Sequence, residues 1–196
     1  MAARWEWRTF ACEGRAAETQ LRASATAIRA SEEWYVVGEH SRENVKVRQG
    51  VLEVKALQRE ESDGLQLWQP VLKVPFPVDA ADLRTVAAHL GVPAPSLDRL
   101  AYSIEEWLSE VAARTPGLTI VRVRKTRYGS TLDECLVEVA DLVMDNMPVV
   151  TIAVESEDPD RVRRTVKSLG LDACPAEDYV TAMKRLTTAG RRQAGV

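Results

Sequence analysis

The residues in this chain best suited to chemistry are charged side chains spaced two apart in short strand-like runs: Lys46-Val47-Arg48, Glu53-Val54-Lys55, Arg122-Val123-Arg124 and Glu155-Ser156-Glu157. A strand sends alternate side chains to opposite faces, so each run places both of its charges on one side. Several such strands build a sheet that is apolar on one face and densely charged on the other. Cations dominate two of the runs, and a carboxylate pair closes the last strand-like segment. Basic groups facing a carboxylate pair across a curved sheet suit a metal-bound polyanion, such as a phosphate chain. The same alternation also describes a one-sided sheet whose charged face is wetted by solvent.

Composition narrows the chemistry. At 196 residues, 45% hydrophobic and 28% charged, the chain has the makeup of one globular domain. A formal net charge of −3 argues against broad nucleic-acid binding, which needs a basic footprint. His40 and His89 are the only histidines, so a multi-histidine metal site is ruled out. Any metal would be a hard cation on carboxylates, magnesium or manganese. Cys12, Cys135 and Cys174 have no metal-like spacing and read as reduced thiols of a cytoplasmic protein. The N-terminal MAARWEWRTF lacks a signal-peptide core, and no apolar run has bilayer length, so no membrane association is expected.

The elements that must position these charges follow from periodicity. Arg4 to Phe10 alternates as a strand, with Trp5 and Trp7 on one face and Arg4, Glu6 and Arg8 on the other. A one-residue slip would turn the tryptophans inward instead. A weakly amphipathic helix is expected over Arg15 to Arg29. Strands follow at Trp34–Glu39, Asn44–Arg48 and Val51–Gln58, the last two joined by a two-residue turn at Gln49-Gly50. Leu65 to Phe76 reads as an edge strand or as bent segments because of Pro70 and Pro75. A helical insert occupies about 79–115, with Asp79 as an N-cap and Ser103-x-x-Glu106 as a capping box. Leu118–Arg127, Glu134–Met144 and Val149–Glu157 read as strands. A helix capped by Asp158-Pro159 follows, then one over about Ala176–Leu186, then a disordered tail at 189–196. This gives an α+β class, mostly antiparallel, in a single domain over 1–188.

The order of these features resembles the CYTH superfamily, the triphosphate tunnel enzymes, over Arg4 to about Leu186. The resemblance implies an eight-stranded antiparallel β tunnel, covered by helices and lined with charge. Active members include thiamine triphosphatases, inorganic triphosphatases, RNA triphosphatases and a class of adenylyl cyclase. Carried over by type and order, Arg8, Lys46, Arg48, Lys55, Arg122 and Arg124 would bind phosphate. Glu6, Glu155 and Glu157 would be catalytic and hold Mg2+ or Mn2+, with Glu53 and Glu138 as further candidate ligands; Asp141 is another carboxylate of unfixed facing. The family's first strand reads Glu-x-Glu-x-Lys. Here Arg4-Trp5-Glu6-Trp7-Arg8 keeps the central Glu6, replaces lysine with Arg8 and puts a cation where the first carboxylate belongs.

The implied function is divalent-metal-dependent binding and hydrolysis of inorganic, nucleoside or thiamine triphosphate. An alternative is a tunnel that binds polyphosphate or nucleotide without turnover, which Arg4 favours because an added cation strengthens anion binding and opposes metal binding. A partner-binding module is a third reading. Adenylyl cyclase activity would need an adenine-recognition pattern, and none is visible. The sequence leaves the oligomeric state open.

Overall fold

Three two-residue turns in left-handed backbone set the strand register: Gln49-Gly50 (φ 50° and 77°), Asp133-Glu134 (48° and 61°) and Asp145-Asn146 (44° and 72°). Positive φ at both positions matches the right-handed twist of the strands they join. In the computed structural model these turns connect β3 (Asn44–Arg48) to β4 (Val51–Glu60), β8 (Leu118–Leu132) to β9 (Cys135–Met144), and β9 to β10 (Met147–Ser156). Residues 2–10 and 15–194 are described. With β1 (Arg4–Thr9), β2 (Ala27–Gly38) and β5 (Gln66–Pro75), these strands form an eight-stranded closed antiparallel barrel, ordered β1-β10-β9-β8-β2-β3-β4-β5. Pro70 and Pro75 lie beyond the stretch of β5 that pairs with β1, where no ladder bond is asked of them on that side.

The barrel turns its charged face inward. Val45, Val47, Leu52 and Val54 point outward and pack under the segment between β5 and β8. That segment holds α2 (Ala80–His89), a two-stranded ribbon of β6 (Val78–Asp79) and β7 (Ala101–Tyr102), α3 (Ile104–Glu106), a π-helical turn over Trp107–Val111 and a 3-10 turn over Ala112–Arg114. Trp7, Val137, Val139, Ile152 and Val154 also point outward, under α1 (Arg15–Ala23) and α4 (Pro159–Ser168). Each such fully buried aliphatic contributes about 1.5–3 kcal/mol of hydrophobic stabilisation. The interior therefore need not be an apolar core along its whole length.

One end of the interior is apolar. Phe10, Tyr35, Val37, Val121, Val123, Leu142 and Met144 share the inward face with the charged residues, and α5 (Tyr179–Ala194) seats Tyr179, Val180 and Met183 against them. Asp178 caps α5, accepting from the Thr181 backbone N–H at 2.9 Å, and Arg42 bridges Asp178 to Glu60 at 2.9 and 2.5 Å. The lumen is closed at that end and charged towards the other.

Several boundaries differ from the sequence reading. The first helix stops at Ala23, because β2 begins at Ala27 to pair along the long β8; Ile28, expected on the helix, is an exposed strand residue. The Ser103–Glu106 capping box forms with both of its hydrogen bonds, whereas Asp79 precedes α2 without a side-chain cap bond. Asp158 caps α4 as expected. The α5 backbone continues to Ala194. Cys135 is a buried free thiol, but Cys174 is disulfide-bonded, which corrects the reduced-thiol expectation there; Cys12 lies outside the described residues. Among the described residues no helix is long and apolar enough to cross a membrane.

Candidate active site

The inward face of β1 carries Glu6 and Arg8, and the first strand has the register in which Trp7 packs outward. Arg8 is only 5% exposed; its Nε donates to Glu6 Oε1 at 2.7 Å and its Nη1 to Thr151 Oγ1 at 3.2 Å. Lys46 and Arg48 enter from β3, Glu53 and Lys55 from β4, and Glu138 and Glu155 from β9 and β10. Together they line a cavity of about 190 Å³. Arg48 Nη2 meets Glu53 Oε1 at 2.9 Å, and Lys46 Nζ lies 3.5 Å from Glu33 and 3.8 Å from Glu53. Among the described residues Lys55 makes no ion pair or hydrogen bond, although its charge acts on Glu6 and Glu155.

The structure also seats residues that the sequence reading passed over. Lys125 and Arg127 of β8 point inward, each 2.9 Å from a Glu138 oxygen. Glu33 of β2 has no exposed surface and accepts from Tyr35 Oη at 2.8 Å and Ser31 Oγ at 3.1 Å. Tyr179 of α5 is buried where the apolar and charged halves meet. Its Oη accepts from Lys125 Nζ at 2.8 Å, and its ring lies 4.5 Å under the Arg8 guanidinium.

Other expected positions fall outside the lumen. Arg122 is 52% exposed and pairs with Glu32 at 2.6 Å, and Arg124 is exposed beside it. The reason is parity: β8 pairs Val123 with Glu33 and Lys125 with Ser31, which turns its odd-numbered residues inward. Glu157 follows the end of β10, is 65% exposed, and lies 3.8 Å from Arg4. Asp141 faces outward, held by Arg22 of α1 at 2.6 Å.

Crowding of charge sets the protonation states. Burial alone would raise the Glu6 carboxyl, but Arg8 and Lys55 outweigh it and bring its pKa down to about 2. Glu155 sits directly opposite Glu6 in the β1–β10 ladder, and burial followed by the Glu6 charge pushes its pKa up. The two therefore act as one acid–carboxylate pair. Burial is likewise outweighed at Glu33, by Lys46 and Lys125, and at Glu138, by Lys125 and Arg8; both fall to about 2. Lys46 goes the other way: burial brings it down to about 8, only partly offset by Glu33.

Among the described residues no group of three or more Asp, Glu, His or Cys side chains is assembled for a divalent cation. Glu6 and Glu155 nonetheless converge as hard oxygen donors, and burial followed by the Glu6 charge raises the Glu155 carboxyl. Magnesium is commonly held by one or two carboxylates with substrate phosphates completing its shell, so this pair fits an ion shared with a phosphate chain rather than a closed protein cage.

No family model matches the sequence, and no curated protein matches it. Solved structures do match in fold. A candidate adenylate cyclase from Bacillus halodurans is 12% identical, with 89% of this chain and 94% of that one covered, at a TM-score of 0.50. A candidate adenylyl cyclase from Hippeastrum, described as having a dominant triphosphatase activity, is 12% identical over 94% and 96% of the two chains at 0.50. A conserved hypothetical protein from Pyrococcus furiosus is 16% identical over 90% and 98% at 0.52. At such identities the likeness speaks for fold. The closed barrel with its charged interior has the CYTH-like tunnel fold.

Proposed function

We propose that the lumen binds a triphosphate together with a divalent cation and hydrolyses it. The observation that carries this is the convergence of Arg8, Lys46, Arg48, Lys55, Lys125 and Arg127 on one cavity that also holds the Glu6–Glu155 pair. Phosphoryl transfer asks a protein for positioning and charge neutralisation more than for covalent chemistry. The guanidinium forks of Arg8, Arg48 and Arg127 grip non-bridging oxygens, and the ammonium groups of Lys46, Lys55 and Lys125 act as point charges among them. Glu6 and Glu155 are the carboxylates that would hold Mg2+ or Mn2+, an ion that would supply charge neutralisation and Lewis acidity to the phosphate chain. Glu53 and Glu138 are already committed to lysine and arginine partners, so their part is to hold those cations in place.

A second reading, binding without turnover, is favoured by the Arg4–Glu157 contact at 3.8 Å. It sets a cation against one expected metal ligand and leaves that ligand outside the cavity.

A thermal-shift titration with inorganic triphosphate, with and without magnesium or manganese, separates the readings when released phosphate is assayed in the same samples. Stabilisation with metal-dependent release supports hydrolysis, and stabilisation without release supports the binding tunnel. No shift with any of these would overturn both.

A further inference from the structure

Beyond the charged cavity the lumen opens into a second space of about 300 Å³, and Arg127, Glu138 and Glu155 line both. Its remaining wall includes Arg29, Gly129, Ser130 and Thr131. Arg29 and Arg127 are directly opposite each other in the β2–β8 ladder. Like charges so placed repel and destabilise a sheet unless something neutralises them. Arg127 has Glu138 at 2.9 Å, whereas Arg29 has no ion pair or hydrogen bond among the described residues. On the outer face of the same two strands the sequence provides a counter-ion, because Arg122 meets Glu32 at 2.6 Å. The hydroxyl of Thr131, on the inward odd-numbered face of β8, likewise lacks a hydrogen-bond partner among the described residues. Gly129 keeps the wall open: a Cβ there would meet only Ala27 and Val137 carbonyl oxygens, at 4.0 Å.

We propose that Arg29, with Arg127 and the Thr131 hydroxyl, forms an anion subsite at the lumen mouth that takes a phosphate beyond those gripped deeper inside. The inference rests on the triphosphate reading and deepens it: the preferred ligand is a chain with a fourth phosphoryl group, and Arg29 sets that preference. The wall supplies forked donors and a hydroxyl for phosphate oxygens.

The test is calorimetric titration of the full chain, in magnesium buffer, with inorganic tripolyphosphate and inorganic tetrapolyphosphate. Wild type should bind the tetraphosphate about tenfold more tightly, the gain expected from one added charge-assisted contact. Arg29→Ala and Gly129→Val should each erase that preference while leaving triphosphate affinity within about twofold. Arg84→Ala, which removes an exposed cation on α2, controls for overall charge and should preserve the preference. Equal affinity of wild type for both chains would overturn the subsite and leave the triphosphate reading standing. An equal loss of both affinities in Arg29→Ala would also overturn it, as would the same loss of preference in Arg84→Ala. Failure of both chains to bind would overturn the triphosphate reading and the subsite with it. A thermal melt of each variant checks that it is folded.

Discussion

Glu6 and Glu155 face each other across the β1–β10 ladder, yet they titrate in opposite directions. The Arg8 guanidinium and the Lys55 charge keep Glu6 ionised despite its burial, whereas burial and that ionised neighbour raise the Glu155 carboxyl. The raised carboxyl belongs to the pair that would hold the proposed divalent cation.

Divalent binding should therefore release a proton and tighten as pH rises through the elevated Glu155 value. Magnesium or manganese titrations in buffers of different ionisation enthalpy measure this. A proton count of zero across neutral pH would sink the pairing.

The same pair has a stability consequence. The carboxyl that is raised in the fold, Glu155, lowers stability as pH climbs from the unfolded carboxyl value to its folded one, and the penalty persists above that. Glu6 behaves oppositely: its contribution is full above the unfolded value and is lost as pH falls towards about 2. Glu155→Gln should accordingly raise the metal-free melting temperature at pH 7 while weakening divalent binding about tenfold or more. A lower melting temperature would contradict the buried-acid assignment.

Lys46, depressed to about 8, should lose part of its charge in the free lumen under mildly alkaline conditions. A phosphate chain favours the ammonium form, so triphosphate affinity should decline as pH rises above about 8, with proton uptake on binding there. Lys46→Arg, always charged, should flatten that limb of the profile; an unchanged pH dependence would assign the titration to another group.

The inward parity of β8 is directly checkable. Lys125→Met should reduce triphosphate affinity at least about tenfold, whereas Arg124→Ala, on the outer face, should change it by less than about twofold. Reversed results in calorimetry would mean that the strand faces had been exchanged.

Closure of the barrel by α5 depends on Asp178, which is almost fully buried and holds both the Thr181 cap and Arg42. Asp178→Ala should cost about 3 kcal/mol of folding stability, the scale of breaking a buried pair together with a helix cap. Chemical denaturation measures it, and a loss below about 1 kcal/mol would show that α5 is held by its apolar contacts alone.

What the sequence determined by itself is what short-range chemistry dictates. Alternation placed Lys46 with Arg48, and Glu53 with Lys55, on single faces. The Gln49-Gly50 pair marked a hairpin and Ser103 and Glu106 marked a helix start, while the barrel entered only through the family resemblance. The inner face of β8 could not be read this way, because Arg122, Arg124, Lys125 and Arg127 put cations on both of its sides. The odd-numbered face is apolar at Val121 and Val123, then charged at Lys125 and Arg127, because α5 fills one half of the lumen and leaves the other to ligand. Glu33 was equally hidden beside Glu32. Glu157 looked like a partner of Glu155 until β10 ended at Ser156 and left it in solvent against Arg4. Which charges meet inside is decided by cross-strand register and by the closing helix. Both bring together residues far apart in the chain, so no local pattern carries them.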